Sequence, residues 1–77
     1  MDRENWESID VQFGNALKRL RKERHMTQAE FADFCGISRA YYGRIELGKH
    51  SATLYMCQRI AEATGVYLYD FFKDMSF

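Results

Sequence analysis

The apolar residues of this chain recur at helical spacing in five separate segments. The first segment predicts a helix from about Ile9 or Asp10 to Arg24, because three or four positions separate the members of its apolar face. That face consists of Phe13, Ala16, Leu17 and Leu20. Gly14 lies within it and indicates a point where another helix packs closely.

The second and third segments are short and closely joined. Thr27 and Glu30 have the spacing of a capping box, which predicts a helix from Gln28 to Cys35. Its apolar face is Phe31, Ala32 and Cys35, and Ile37 fills the following turn. Gly36 stands where a chain leaving a helix commonly needs a left-handed residue. Ser38 then caps a helix from Arg39 to Leu47.

Two helices joined in this way form a helix-turn-helix, whose second helix enters the major groove of DNA. Gly48 closes the third helix and Thr53 caps the fourth, which Gly65 ends. The predicted inner face of the fourth helix is Leu54, Cys57, Ile60 and Ala61. A last helix, from about Leu68 to Met75, is apolar almost all round. The pattern predicts an all-α fold of five helices.

The length of 77 residues allows one domain with one modest core. We expect a short acidic extension over residues 1–8 and a single helix-turn-helix domain over residues 9–77. No apolar run approaches the ~20 residues that span a membrane, and the acidic start is unlike a signal peptide. Cys35 and Cys57 fall on apolar faces and are expected to be reduced, which predicts a cytoplasmic protein; a redox switch is the alternative.

The formal net charge is zero, but the charges are unevenly distributed. Residues 18–59 carry nine basic and four acidic side chains, whereas the flanking segments are acidic. A local basic patch steers a polyanion even when the average charge conceals it. The predicted helix-turn-helix therefore lies in the segment suited to nucleic acid.

The chain resembles the phage-repressor-like, Cro-type (XRE) helix-turn-helix family. The matching residues are FGNALKRLRKERHMTQAEFADFCGISRAYYGRIELGKHSATL and IAEATGVYLYDFF, which together fall within residues 13–72. The resemblance implies a compact, lambda-repressor-like five-helix domain that regulates transcription by binding operator DNA as a homodimer. Within the family it is most similar to controller proteins of restriction-modification systems or to a stand-alone phage-type repressor.

The first turns of a recognition helix face base edges, which here places Arg39, Ala40, Gly43 and Arg44 toward the groove. Arginine pairs bidentately with guanine, so Arg39 is the leading candidate for base reading and Arg44 the second. Alternatively, Arg39 is a solvated arginine at the start of the helix, and Arg44 contacts phosphate or forms an ion pair with a neighbouring residue. Gly43 lets the helix approach closely.

Further residues are candidates for phosphate contact: Thr27, Gln28, Ser38, Tyr41, Lys49, His50 and Ser51. Gln28 begins a helix, where backbone N–H groups attract an anion. The resemblance implies that this glutamine bonds phosphate and braces the first reading residue. Tyr42 takes a position where the family buries Val or Ile, so Tyr41 faces outward, unless both rings shield the core. The resemblance also implies a structural ion pair between Glu46 and Arg21.

The C-terminal segment has more apolar surface than one short helix can bury within its own domain. We therefore expect a dimer interface made by Leu68, Tyr69, Phe72 and Met75. Packing under the first and fourth helices is the alternative, and it accounts best for Leu68 and Phe71.

An enzyme is disfavoured, because the chain lacks paired carboxylates, a nucleophile with its base, and a phosphate-binding glycine loop. His25 and His50 are isolated, so no metal site is expected. No cofactor is expected, and no small-molecule effector is evident. The remaining alternative is a protein-interaction module, such as an antitoxin or adaptor, that keeps the fold without binding an operator. The basic reading face favours double-stranded DNA as the partner, with no membrane involved.

Overall fold

A computed structural model describes residues 8–75. Five helices follow one another along this region: α1 (Ile9–Glu23), α2 (Gln28–Cys35), α3 (Arg39–Glu46), α4 (Leu54–Thr64) and α5 (Leu68–Phe72). Between residues 8 and 75 there is no strand, and no helix is long and apolar enough to cross a membrane. The predicted acidic extension lies outside the described residues apart from Ser8.

The starts of the first four helices are set by hydroxyl caps. Thr27 Oγ1 accepts from the backbone N–H of Glu30 at 3.1 Å, and the Glu30 carboxylate accepts from the N–H of Thr27 at 2.8 Å. Ser38 and Thr53 cap α3 and α4 as predicted, each hydroxyl accepting one backbone N–H, from Tyr41 and Met56 respectively. Ser8, which was not predicted as a cap, accepts from the N–H of Val11.

Three helix ends differ from the prediction. The predicted first and third helices ran to Arg24 and Leu47, which are instead the C-terminal caps of α1 and α3. The predicted last helix ran to Met75, whereas α5 ends at Phe72 after five residues. By contrast, Gly36 ends α2 as expected, with φ 71° in the left-handed region and its N–H bonded to the carbonyl of Asp33.

The core lies between all five helices. Its buried apolar members are Phe13, Ala16, Leu17, Phe31, Ala32, Cys35, Ile37, Tyr42, Ile45, Cys57, Ile60 and Phe71. The Tyr42 ring is fully buried, 5.4 Å from the centre of the Phe31 ring, as predicted for a core residue. Burial raises the pKa of both thiols, Cys35 and Cys57, so both remain protonated apolar core groups.

The predicted position of Leu54 in the core is wrong, because its side chain is 80% exposed. Leu54 is the first residue of α4, and helical side chains lean toward the N-terminal end of their helix. It therefore leans past the edge of the core, where it lines a surface groove beside Ala52 and Phe72.

Candidate nucleic-acid interface

Helix α3 buries one face and exposes the other. Tyr42, Ile45 and Glu46 are buried, whereas Arg39, Ala40 and Arg44 are exposed and Gly43 is half-buried. This placement follows from the 3.6-residue helical period. Three of the four predicted base-reading residues thus lie on the exposed face of α3, and Gly43 is partly covered.

The buried side of α3 is held by an ion pair with α1. Arg21 donates through Nε to Glu46 Oε2 at 2.9 Å and through Nη2 to Glu46 Oε1 at 2.8 Å. The Glu46 side chain is only 3% exposed. Burial alone would raise the pKa of Glu46, but the hydrogen bonds, led by those from Arg21, outweigh burial and lower it. The pair implied by the family resemblance is therefore present and ionised.

Gln28 is also attached to this pair. Its Nε2 donates to Glu46 Oε1 at 3.1 Å, although Gln28 is an exposed residue at the start of α2. The resemblance implied that Gln28 braces the first reading residue, Arg39, and in the structure it braces Glu46 instead. Gln28 also lies beside Gly43, since a β-carbon built on Gly43 would be 3.9 Å from Gln28 Oε1.

The brace of Arg39 is a carboxylate that the sequence analysis did not single out. Arg39 donates through Nη2 to Asp33 Oδ2 at 2.7 Å and through Nε to Asp33 Oδ1 at 3.2 Å. Both side chains are largely exposed, Arg39 at 66% and Asp33 at 56%. The Arg39 hydrogen bonds lower the pKa of Asp33. The signal was a carboxylate near the end of α2, six residues before the arginine that begins α3.

The predicted phosphate-contacting residues lie at the start of α2, at the start of α3 and in the loop that follows α3. Thr27, Gln28, Ser38, Lys49, His50 and Ser51 are exposed, and Tyr41 is half-buried. The Tyr41 ring packs at the edge of the core with its centre 6.0 Å from that of His50. The Ser51 hydroxyl is already engaged, because it donates to Asp10 Oδ1 at 2.7 Å.

The residues predicted for the dimer interface divide into two pairs. Tyr69 is 71% exposed and Leu68 is 37% exposed, whereas Phe72 and Met75 are half-buried. Phe72 stacks on Phe13 with the ring centres 5.7 Å apart, so part of its surface is used within the domain. Phe72 also lines the groove beside Leu54, which has a volume of about 380 Å³.

Together, the fold and the exposed basic face of α3 define a helix-turn-helix protein. The model of the helix-turn-helix family HTH_3 matches residues 17–71. The chain belongs to this Cro/XRE-type family of DNA-binding transcription regulators.

Individual relatives include control proteins and a repressor. The chain is 38% identical over 68 residues to the control protein C.MunI of Mycoplasma sp, covering 87% of this chain and 92% of that protein. It is 34% identical over 53 residues to the immunity repressor of Bacillus phage phi105, covering 69% of this chain but 37% of the repressor. Among solved structures it is similar to the restriction-modification controller protein C.AhdI from Aeromonas hydrophila. That similarity has a TM-score of 0.77 and 28% identity, and it covers 82% and 96% of the two chains.

Proposed function

We propose that this protein binds a palindromic operator in double-stranded DNA as a homodimer and regulates transcription, as a repressor and autoregulator of the restriction-modification controller type. The observation that carries the proposal is the orientation of α3. Its buried face is fixed by the ion pair of Arg21 with Glu46, and its outward face presents Arg39, Ala40 and Arg44.

In this proposal, Arg39 and Arg44 read base edges, Ala40 contacts a thymine methyl group, and Gly43 admits the close approach of α3. Lys49, His50 and the start of α2 contact phosphates and orient the protein on the duplex. Thr27 and Ser38 contribute through their O–H groups, because their oxygens accept the capping bonds and leave the hydroxyl hydrogen free to be donated to a phosphate.

A dimer is proposed because one short recognition helix gives limited selectivity, whereas two-fold symmetry doubles the contacts. Two recognition helices related in this way read half-sites ~34 Å apart. The proposed interface is Leu68, Tyr69, Phe72 and Met75, and the groove beside Leu54 extends the apolar surface that a second copy would cover.

The controller type is favoured over the phage-repressor type by similarity. The chain is 38% identical to the controller C.MunI over 68 residues, and 34% identical to the phi105 repressor over 53 residues.

Selection of bound duplexes from a random pool tests the operator. We expect an inverted repeat to emerge and its affinity to fall steeply with salt, because phosphate contacts release counterions. Arg39→Ala should remove a base preference, while Lys49→Ala should weaken all duplexes alike and reduce the salt slope by about 1. Arg19→Ala is the charge-matched control, since Arg19 is exposed on α1 beside Asp70 of α5 rather than on α3. An affinity that ignores sequence and salt would favour the protein-interaction module.

Sedimentation tests the dimer separately. The wild type should sediment as a dimer at micromolar concentration, and Tyr69→Glu should shift it to a monomer. Tyr55→Glu is the control, because Tyr55 is an exposed aromatic that lies against Arg59 and outside the proposed interface. A wild type that remains monomeric would remove the dimer from the proposal.

A further inference from the structure

The ion pair between Asp33 and Arg39 joins the end of α2 to the first residue of α3. We propose that Asp33 is a specificity-determining positioning residue, which holds the Arg39 guanidinium in the orientation needed to bind guanine. The inference rests on the proposed function, and it adds a residue that does not itself read a base.

The geometry of the pair supports this role. Asp33 engages Arg39 from the side, through Nε and Nη2. A guanidinium has five N–H donors, so three remain, on Nη1 and on the outer side of Nη2. None of these three bonds to any residue between 8 and 75. Two of them, one on each Nη, form the end of the guanidinium, an edge that can pair with guanine O6 and N7.

Structural stability does not explain the pair. Both side chains are more than half exposed, and exposed ion pairs add little to folding. Each charge is also unfavourably placed relative to the dipole of its own helix. Asp33 is negative and lies in the last turn of α2, whereas Arg39 is positive and lies in the first turn of α3. The pairing offsets both placements and restricts the rotamers of the arginine that must meet a base.

The carboxylate also disfavours incorrect contacts. An unheld Arg39 could rotate to any nearby phosphate, which would give affinity without selectivity. Asp33 competes for that guanidinium and adds a negative charge near the DNA, so phosphate-only binding is weakened. Bidentate binding of guanine leaves the Asp33 bonds intact. Asp33 therefore increases the difference in binding free energy between guanine and the other bases.

A comparison of variants tests this role. For each variant, the affinity is measured for the selected duplex with each of the four base pairs in turn at the Arg39-dependent position. The affinity for a random duplex is measured as well. That position is the one where Arg39→Ala abolishes the preference. Asp33→Asn should reduce the guanine preference by about tenfold, the effect of one good bidentate contact. It should also tighten binding to the random duplex, because a negative charge is lost.

Glu62→Gln is the matched control, because Glu62 lines the same surface depression as Asp33 and loses the same charge. It should tighten the random duplex without changing the guanine preference. In an Arg39→Ala background, Asp33→Asn should leave the base preference unchanged. Thermal melting of each variant verifies that it is folded.

Nitrogen-15 NMR gives a readout that needs no DNA. The Nε–H of Arg39 should exchange slowly with water in the wild type and rapidly in Asp33→Asn. Unaltered exchange, or a guanine preference that survives in Asp33→Asn, overturns the inference alone. If Asp33→Asn instead binds the preferred duplex more tightly and keeps the full preference for guanine, the ion pair is an inhibitory contact. That result also overturns the inference. A wild type that selects no duplex overturns the proposed function and this inference together.

Discussion

Gly14 of α1 faces the backbone carbonyl of Glu46 of α3 at a distance that excludes any side chain. A β-carbon built on Gly14 would lie 2.5 Å from that oxygen and 2.6 Å from the carbonyl oxygen of Ile45. Both contacts are to backbone, which cannot rotate away as a side chain can. The missing side chain thus lets α1 and α3 pack closely where the ion pair of Arg21 and Glu46 joins them.

We expect Gly14→Ala to lower the free energy of unfolding by about 1–3 kcal/mol, because α1 and α3 must separate to admit the methyl group. Urea denaturation measures the change. An unchanged midpoint would mean that the two helices do not pack this closely in solution.

Gly43→Ala is the same substitution at a site with room. The nearest atom to the new β-carbon is 3.9 Å away, and Gly43 lies inside α3, where alanine is favoured over glycine. The free energy of unfolding should rise by about 0.5–1 kcal/mol. Affinity for the selected duplex should nevertheless fall, because the methyl group occupies the surface proposed to approach the bases. Undiminished affinity would show that α3 does not approach DNA through Gly43.

Glu46→Ala should lower the free energy of unfolding by about 3–5 kcal/mol, because it leaves Arg21 buried without its partner. DNA affinity should fall secondarily, because fewer molecules are folded and α3 is less firmly anchored. Differential scanning calorimetry measures the first effect, and Glu62→Ala, at an exposed position, is the control. Normal melting of Glu46→Ala would refute the structural role of the pair.

The ionisation of Glu46 also predicts how stability depends on pH. The pKa of Glu46 is lowered below its ordinary value of 4.5 in the folded state, so its carboxylate favours folding at pH values above 4.5. This contribution is lost as the pH falls below 4.5 and through the folded-state pKa. Denaturation midpoints measured from pH 7 downward should fall in this range for the wild type.

Glu46→Gln should reduce that loss of stability on acidification without removing it. The remainder comes from Glu30, whose pKa is lowered chiefly by the hydrogen bond from the Thr27 backbone, and from Asp33, whose pKa is lowered chiefly by its hydrogen bonds from Arg39. Equal slopes for wild type and Glu46→Gln would contradict the assignment of the loss to Glu46.

Tyr42→Phe should raise the free energy of unfolding by about 1 kcal/mol. The Tyr42 hydroxyl is buried and lies near enough to Glu46 to lower the pKa of that carboxyl, but it has no partner within hydrogen-bonding geometry among residues 8–75. A buried, unpaired hydroxyl costs stability, and phenylalanine retains the ring that packs on Phe31. Thermal unfolding measures the change. A less stable variant would reveal a hydrogen bond from the hydroxyl to Glu46.

The helix starts could be predicted because their signals are local. Thr27, Ser38 and Thr53 each cap the helix that follows within a few residues, so a short stretch of sequence contains both partners. Helix ends depend more on packing. The apolar run after Leu68 indicated a longer helix, but α5 stops after Phe72, which rests on Phe13 of α1.

Contacts between distant segments could not be derived from spacing. The pair of Arg21 with Glu46 came from the family resemblance, and the bonds of Asp33 to Arg39 and Gln28 to Glu46 appeared only in the structure. Leu54 shows the same limit, because its three-residue spacing from Cys57 is correct for a buried face. Only the three-dimensional arrangement places it beyond the edge of the core.

The carboxylate of Glu46 receives hydrogen bonds from two helices at once, through Arg21 on α1 and Gln28 on α2. The tilt at which α3 projects is therefore fixed on its hidden side. Outward-facing residues such as Ala40 and Arg44 take no part in that anchoring, so they can be substituted without loosening α3. In the proposed function, a lineage of this protein can therefore acquire a new target sequence by a few surface replacements while its architecture stays the same.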